Sequence, residues 1–238
     1  MIKRELGLLV IAMLLVVTSG KAQVSQNYQH WYTYFGTAKI NDKFSIPFDV
    51  QLRIRNGISD KGQILTRGGL QYSINKRASA LLGYAYVTTY TDPLDTWFPE
   101  HRMFEQFIYK TPIRKWDMTH RFRLEQRWVG VKGLNAEGEK EIADWRYGNR
   151  LRYWNRSVLP LSKKYYFVLQ DELFMNLWGN DISNKFYDQN RFLAAVGYNI
   201  KSNLKVDVGY MNQFIQAGNG SKTMNHILHI GVFHNFDL

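Results

Sequence analysis

Between Trp116 and Val129 the sequence WDMTHRFRLEQRWV sorts by residue parity into two chemistries. Its even positions are Trp116, Met118, His120, Phe122, Leu124, Gln126 and Trp128; its odd positions include Asp117, Thr119, Arg121, Arg123, Glu125 and Arg127. Successive side chains of a strand point to opposite faces, so this segment is a strand with one apolar and one charged face. A soluble antiparallel sheet also alternates, but it turns its polar face to bulk water and shares its apolar face with a core. Which side faces outward depends on the rest of the chain.

The N-terminus bears on that choice. Lys3 and Arg4 precede an apolar run from Leu6 to Val17, followed by Gly20 and Ala22, the pattern of a cleaved secretory signal. A cut after Ala22 leaves a mature chain of 216 residues from Gln23, in one domain spanning 23–238. The leader holds three basic residues and one acidic residue, so the mature chain keeps a net charge of +9 out of +11. No later apolar stretch reaches the roughly 20 residues of a transmembrane helix, so membrane insertion requires strands. The chain has no cysteine, which excludes disulfides, thiolate metal sites and cysteine nucleophiles. Its 7 Trp and 15 Tyr suit the aromatic girdles of a barrel. A basic chain can meet nucleic acid, anionic lipid or anionic solutes. Export argues against nucleic acid, and the basic residues alternate with apolar ones instead of clustering.

Eleven intervals read as strands: about 29–39, 44–55, 64–75, 78–90, 101–111, 116–129, 142–156, 165–178, 187–200, 204–215 and 225–237. Most have the length of a tilted membrane strand, about 9 to 11 residues, or slightly more. The second sets Phe44, Ile46, Phe48, Val50, Leu52 and Ile54 against Asp49, Gln51, Arg53 and Arg55; the seventh sets Trp145, Tyr147, Leu151 and Tyr153 against Asp144, Arg146, Arg150 and Arg152. The fifth is ambiguous, because Glu105 and Gln106 fall on opposite faces. The eighth places Asp171 among Phe167, Leu169, Leu173 and Met175, a costly arrangement in lipid. Short turns alternate with longer connections at 56–63, 91–100, 130–141, 179–186 and 216–224, as periplasmic turns alternate with outer loops. The expectation is an all-β, antiparallel transmembrane barrel of 10 to 12 strands in the cell outer membrane. Twelve is preferred because bacterial single-chain barrels usually have an even count. Its partners would be outer-membrane lipid and, during biogenesis, the barrel-insertion machinery, which generally favours a terminal apolar or aromatic residue such as Phe236 or Leu238.

The motifs FEQFIYK, HRFRLEQRW, WRYGNRLRYW, LQDELFMN, DQNRFLAAVGY and VDVGYMNQF follow in order along the chain. The sequence thereby resembles the domain-of-unknown-function 2490 family of predicted outer-membrane barrels of Gram-negative bacteria. The matching positions are Arg121, Glu125, Arg127, Arg150, Arg152, Glu172, Asn176, Gln189, Asn190, Arg191, Tyr210 and Gln213. The resemblance implies a barrel and a location, and brings no reaction, ligand or cofactor.

If the polar face lines a lumen, that lumen holds Arg121, Arg123, Glu125, Arg127, Arg146, Arg150, Arg152, Glu172, Asn176, Arg191 and Gln213, with Asp49, Arg53, Arg67, Gln71, Asp144, Lys205 and Asp207. Two readings stay open. These groups form a packed network in which arginines bridge Glu125, Asp144, Glu172 and Asp207, or the surplus positive charge lines a narrow path for small anions. The chain would then serve as a structural membrane component or as a small anion-preferring channel. A different class is a membrane-embedded hydrolase, which needs a nucleophile beside a base. His226, His229 and His234 lie on the last strand, but Ser45, Ser73 and Ser79 lie near turns and Ser221 in a loop, so no enzyme activity is expected. The same histidines lack metal-ligand spacing, and no cofactor or metal is expected. A surface-binding module remains an alternative through Trp97 and Phe98 in the 91–100 connection and the mixed charges of 131–141.

Overall fold

A computed structural model describes residues 24–91 and 95–238; the expected leader at 1–22 lies outside them. Eleven strands form one sheet closed on itself. They are β1 (Val24–Lys39), β2 (Phe44–Arg55), β3 (Asp60–Ser73), β4 (Ala78–Thr91), β5 (Thr96–Ile113), β6 (Trp116–Leu134), β7 (Lys140–Pro160), β8 (Tyr165–Asn176), β9 (Tyr187–Lys201), β10 (Leu204–Gln216) and β11 (Lys222–Asp237). No described helix is long and apolar enough to cross a membrane, which says nothing against crossing by strands.

Consecutive strands pair antiparallel, whereas β1 and β11 pair in parallel from Val24↔Lys222 to Lys39↔Asp237. An odd number of alternating strands puts the first and last in the same direction, so only a parallel seam can close the sheet. Eleven lies within the expected 10 to 12, and among the described residues the seam closes without the preferred twelfth strand. Residues 24–30 extend β1 along the full length of β11.

Turn chemistry punctuates the wall. In the turns after β1 and β3, the Asn41 and Asn75 side-chain oxygens each accept from two backbone amides two and three residues on, at 2.8–2.9 Å. The Ser162 hydroxyl serves the same purpose before β8. After β2, Asn56 and Gly57 both take positive φ, 48° and 70°, the conformation of a tight hairpin turn that an Asn-Gly pair favours. Several connections expected to be long are instead strand. Trp97 and Phe98 belong to β5, with Phe98 buried, and 131–134 and 140–144 extend β6 and β7 into an exposed hairpin. Alternation continues through these segments, so pairing persists to Gly133↔Glu141 and Leu134↔Lys140.

The two faces of the sheet divide as parity requires. Outward stand Phe44, Ile46, Val50 and Leu52 on β2, Leu82, Tyr84 and Tyr86 on β4, and Val208, Tyr210 and Leu228 on β10 and β11, all exposed. Inward, the lumen is partly filled by an apolar cluster of Trp31, Tyr166, Val168, Leu193, Ala195, Met211 and Ile227, and by a smaller one of Leu81, Ala85 and Phe104. The remaining inner surface carries the charged residues.

Candidate functional site: an arginine-lined lumen

The inner faces of β5 to β9 bring the charges together. On β6, Arg121, Arg123, Glu125 and Arg127 recur every second residue and therefore share the lumen side. The antiparallel register sets Glu125 opposite Arg150 and Arg123 opposite Arg152, then Arg150 opposite Asn176 and Glu172 opposite Arg191.

Three glutamates act as nodes. Glu125, 1% exposed, accepts from Arg150 Nη2 at 2.7 Å and Arg152 Nη1 at 2.5 Å, with Arg123 at 3.7 Å. Glu172 accepts from Arg121 Nη2 and Arg152 Nη2, both at 2.5 Å, with Arg191 at 3.8 Å. Glu100 accepts from Arg102 in a two-pronged contact at 2.7 and 2.8 Å and from Arg127 Nε at 2.6 Å. Asp49 pairs with Arg67, Asp207 with Arg156, and Asp188 with Arg150 at 2.8 Å. Aromatic faces carry part of the guanidinium array: Arg150, Arg152 and Arg191 lie 5.1, 4.4 and 4.6 Å from the centre of the fully buried Phe174 ring, and Arg53 lies 3.9 Å from that of Trp31.

The network does not fill the lumen. A cavity of about 680 Å³ lies inside it, and a second of about 900 Å³ opens towards the end that carries Asn41, Lys76, Arg77 and Asn203. The two share Thr37, Gln71, Gln106, Ile108, Arg121 and Trp154, which form a waist where the Arg121 guanidinium lies 4.6 Å from the Trp154 ring. Ten arginines and two glutamates line the inner cavity. Leaving Arg55 aside, and with Arg123 and the paired Asp49, Glu125, Asp188 and Asp207 included, ten arginines face six carboxylates among the described residues, a surplus of four. The surplus is visible in single atoms: Nε of Arg53 and Nε of Arg121 have no acceptor among the described residues. Among the described residues, the Arg53 hydrogen bonds go to amide oxygens, Gln63 at 2.6 Å and Gln51 at 2.7 Å.

Of the expected lumen residues, Arg121, Arg123, Glu125, Arg127, Arg150, Arg152, Glu172 and Arg191 enter this array. Gln213 joins Gln189 at 2.5 Å and Asn225 at 2.9 Å, with its amide 3.2 Å from Arg191. Asn176, buried on the same face opposite Arg150, donates to the Lys185 carbonyl at 2.9 Å and anchors the connection between β8 and β9. Arg146 and Asp144 share the inner parity but stand on the projecting β6–β7 hairpin, where both are exposed, so neither bridges the network. Glu100, Arg102, Gln106, Arg156 and Asp188 were not expected. The signal for Glu100, Arg102 and Gln106 was the even-residue parity of β5. At the rim, Asp95 accepts from the Tyr90 hydroxyl, and that bond and then Lys61 at 3.8 Å hold it below the ordinary carboxylate range.

The histidines take other places. His229 is buried inside, 3.9 Å from Asp207, and no three metal-binding side chains cluster among the described residues. On the outer face four Tyr–His pairs recur, Tyr84–His101 and Tyr210–His226 near the start of β5 and β11, and His120–Tyr153 and Tyr34–His234 near the opposite end, at 2.5–2.9 Å. Close to His120, the Ser157 hydroxyl donates to Asn155 Oδ1 at 2.8 Å, so it is engaged by an amide and not by an imidazole.

These features define a class: a closed β-barrel with an apolar outer wall and a cationic, partly ion-paired lumen. Residues 28–225 match the family described as "Protein of unknown function (DUF2490)", and the chain belongs to that family. An uncharacterized protein of Methylorubrum extorquens is 28% identical, across 97% of this chain and 98% of that protein. Among solved structures, one titled "NanC porin structure in rhombohedral crystal form" covers 87% of this chain and 98% of its own, at 9% identity and a TM-score of 0.49.

Proposed function

We propose that the chain is an integral outer-membrane barrel whose lumen passes small anions. The observation that carries this reading is the guanidinium surplus around two cavities that meet at the Arg121–Trp154 waist. Rings of Arg favour anions because fixed positive charge in a narrow passage lowers the energy of the permeating ion. The membrane setting is supported by the apolar outward positions of β2, β4, β10 and β11 and by the Tyr–His pairs near both ends of the wall, where amphipathic rings suit a membrane–water interface. The ion-paired part of the array gives the barrel a rigid inner frame, while the arginines that exceed the carboxylates supply the attraction.

Arg53 tests this cleanly, because its removal breaks no carboxylate pair among the described residues. One unit charge about 7 Å from an ion in water contributes about 0.6 kcal/mol, roughly a threefold change in preference. In planar bilayers, Arg53→Gln should lower the chloride-to-potassium permeability ratio about threefold without unfolding the barrel. An unchanged ratio in Arg53→Gln and in Arg191→Gln would overturn the anion path.

A further inference from the structure

Glu105 stands halfway along β5 and points outward, beside Leu82 on β4 and Leu124 on β6 in the register. It is exposed, and among the described residues its hydrogen-bond partner is the outward-facing Gln126, whose Nε2 donates to Oε2 at 3.1 Å. Leu82, Met103, Phe107 and Phe122 around it are exposed as well. Glu105 borders a concavity of about 560 Å³ on the outer wall, lined by Leu70, Tyr72, Leu82, Phe107, Phe122 and Leu124 among others. If the wall faces lipid, as the proposed function holds, a carboxylate sits at mid-membrane depth with one amide to serve it. Such groups are costly there and normally face protein or a water-filled cavity. Asp171, the other outward carboxylate away from strand ends, has Asn190 at 2.9 Å and is only half exposed.

We propose that the outer face of β5 and β6 around Glu105 and Gln126 is a twofold interface between two copies of this barrel. A lipid acyl chain fits the groove but offers no donor to the carboxylate. A second copy offers one, because acceptor and donor lie side by side on adjacent strands. Rotation of the second copy by half a turn sets each Gln126 amide against the partner subunit's Glu105, so both contacts form together, as in any isologous interface. The flanking leucines and phenylalanines then pack into the facing concavities. Polar contacts of this kind, more than apolar area, favour association between proteins in lipid, where hydrocarbon already solvates the apolar wall.

The chain has no cysteine, so a single introduced thiol reports its own neighbourhood. Leu124→Cys lies beside Glu105, and Leu228→Cys lies on β11 across the barrel. In phospholipid vesicles at low protein-to-lipid ratio, a short bismaleimide should link Leu124→Cys into dimers about tenfold faster than Leu228→Cys. Adding Glu105→Leu should raise the dimer dissociation constant about tenfold, through loss of both exchanged contacts, while Glu105→Gln keeps the dimer. Heat-dependent migration on gels verifies that each variant is folded. A barrel that enters vesicles but links equally at both positions, or is unaffected by Glu105→Leu, would overturn the interface alone. A folded chain that does not enter vesicles would overturn the membrane reading on which the interface rests.

Discussion

Replacing Glu125 by Gln removes the negative charge at the centre of the arginine array with almost no change in side-chain volume. Breaking one side of a buried ion pair costs about 3–5 kcal/mol, because a charge is left without compensation. The lower end applies here, since each guanidinium keeps another acceptor: Arg150 has Asp188, Arg152 has Glu172 and Arg123 has Gln106. The expected loss is therefore about 3 kcal/mol, roughly two powers of ten in the folding equilibrium. Urea unfolding of the vesicle-bound protein, followed by tryptophan fluorescence, reads this directly. Glu139→Gln, at the tip of the exposed β6–β7 hairpin, is the control and should stay within about 0.5 kcal/mol of wild type. In the double variant with Arg152→Met the two losses should fail to add by about 1–3 kcal/mol. A Glu125→Gln protein as stable as the control would mean that lumen water replaces the carboxylate and that the array is not a structural network.

Three other outcomes are expected. A Cβ on Gly197 would lie 2.0 Å from the ring of Tyr166, which is buried and donates to the Val206 carbonyl, so Gly197→Val should cost about 1–3 kcal/mol in urea unfolding and Tyr166→Ala should recover part of it. Trp154→Ala opens the waist and should raise single-channel conductance while leaving the preference for anions in place; unchanged conductance would locate the constriction elsewhere. Because Ser157 is engaged by Asn155, vesicle lipid hydrolysis should stay at the level of protein-free vesicles, and activity abolished by His120→Ala would contradict this.

Two-residue periodicity made most of the wall legible. The run from Trp116 to Val129 reads directly as an inner and an outer face, and the same parity sets Arg150, Arg152, Glu172 and Arg191 on the cavity-lining face. Parity does not report height along a strand. Arg146 therefore shared the pattern of Arg150 while standing on an exposed hairpin. Where strands end was also hidden: Trp97 to Glu100 falls in an expected connection, with Pro99 inside it and Asp95 just before it, yet it pairs with β4 and carries Glu100, a node of the network. The parallel seam between β1 and β11 depends on two segments almost 200 residues apart, and no local pattern encodes it. The outward Glu105 was visible as an irregularity in β5, but only the register showed that its neighbours are leucines.

The most direct test of an anion-passing lumen is the reversal potential of the wild-type protein in a planar bilayer under a potassium chloride gradient. A guanidinium surplus of four among the described residues around the cavity predicts stable conductance steps whose reversal potential lies on the chloride side. A reversal potential on the potassium side, or a silent bilayer shown to contain the folded barrel, would contradict it.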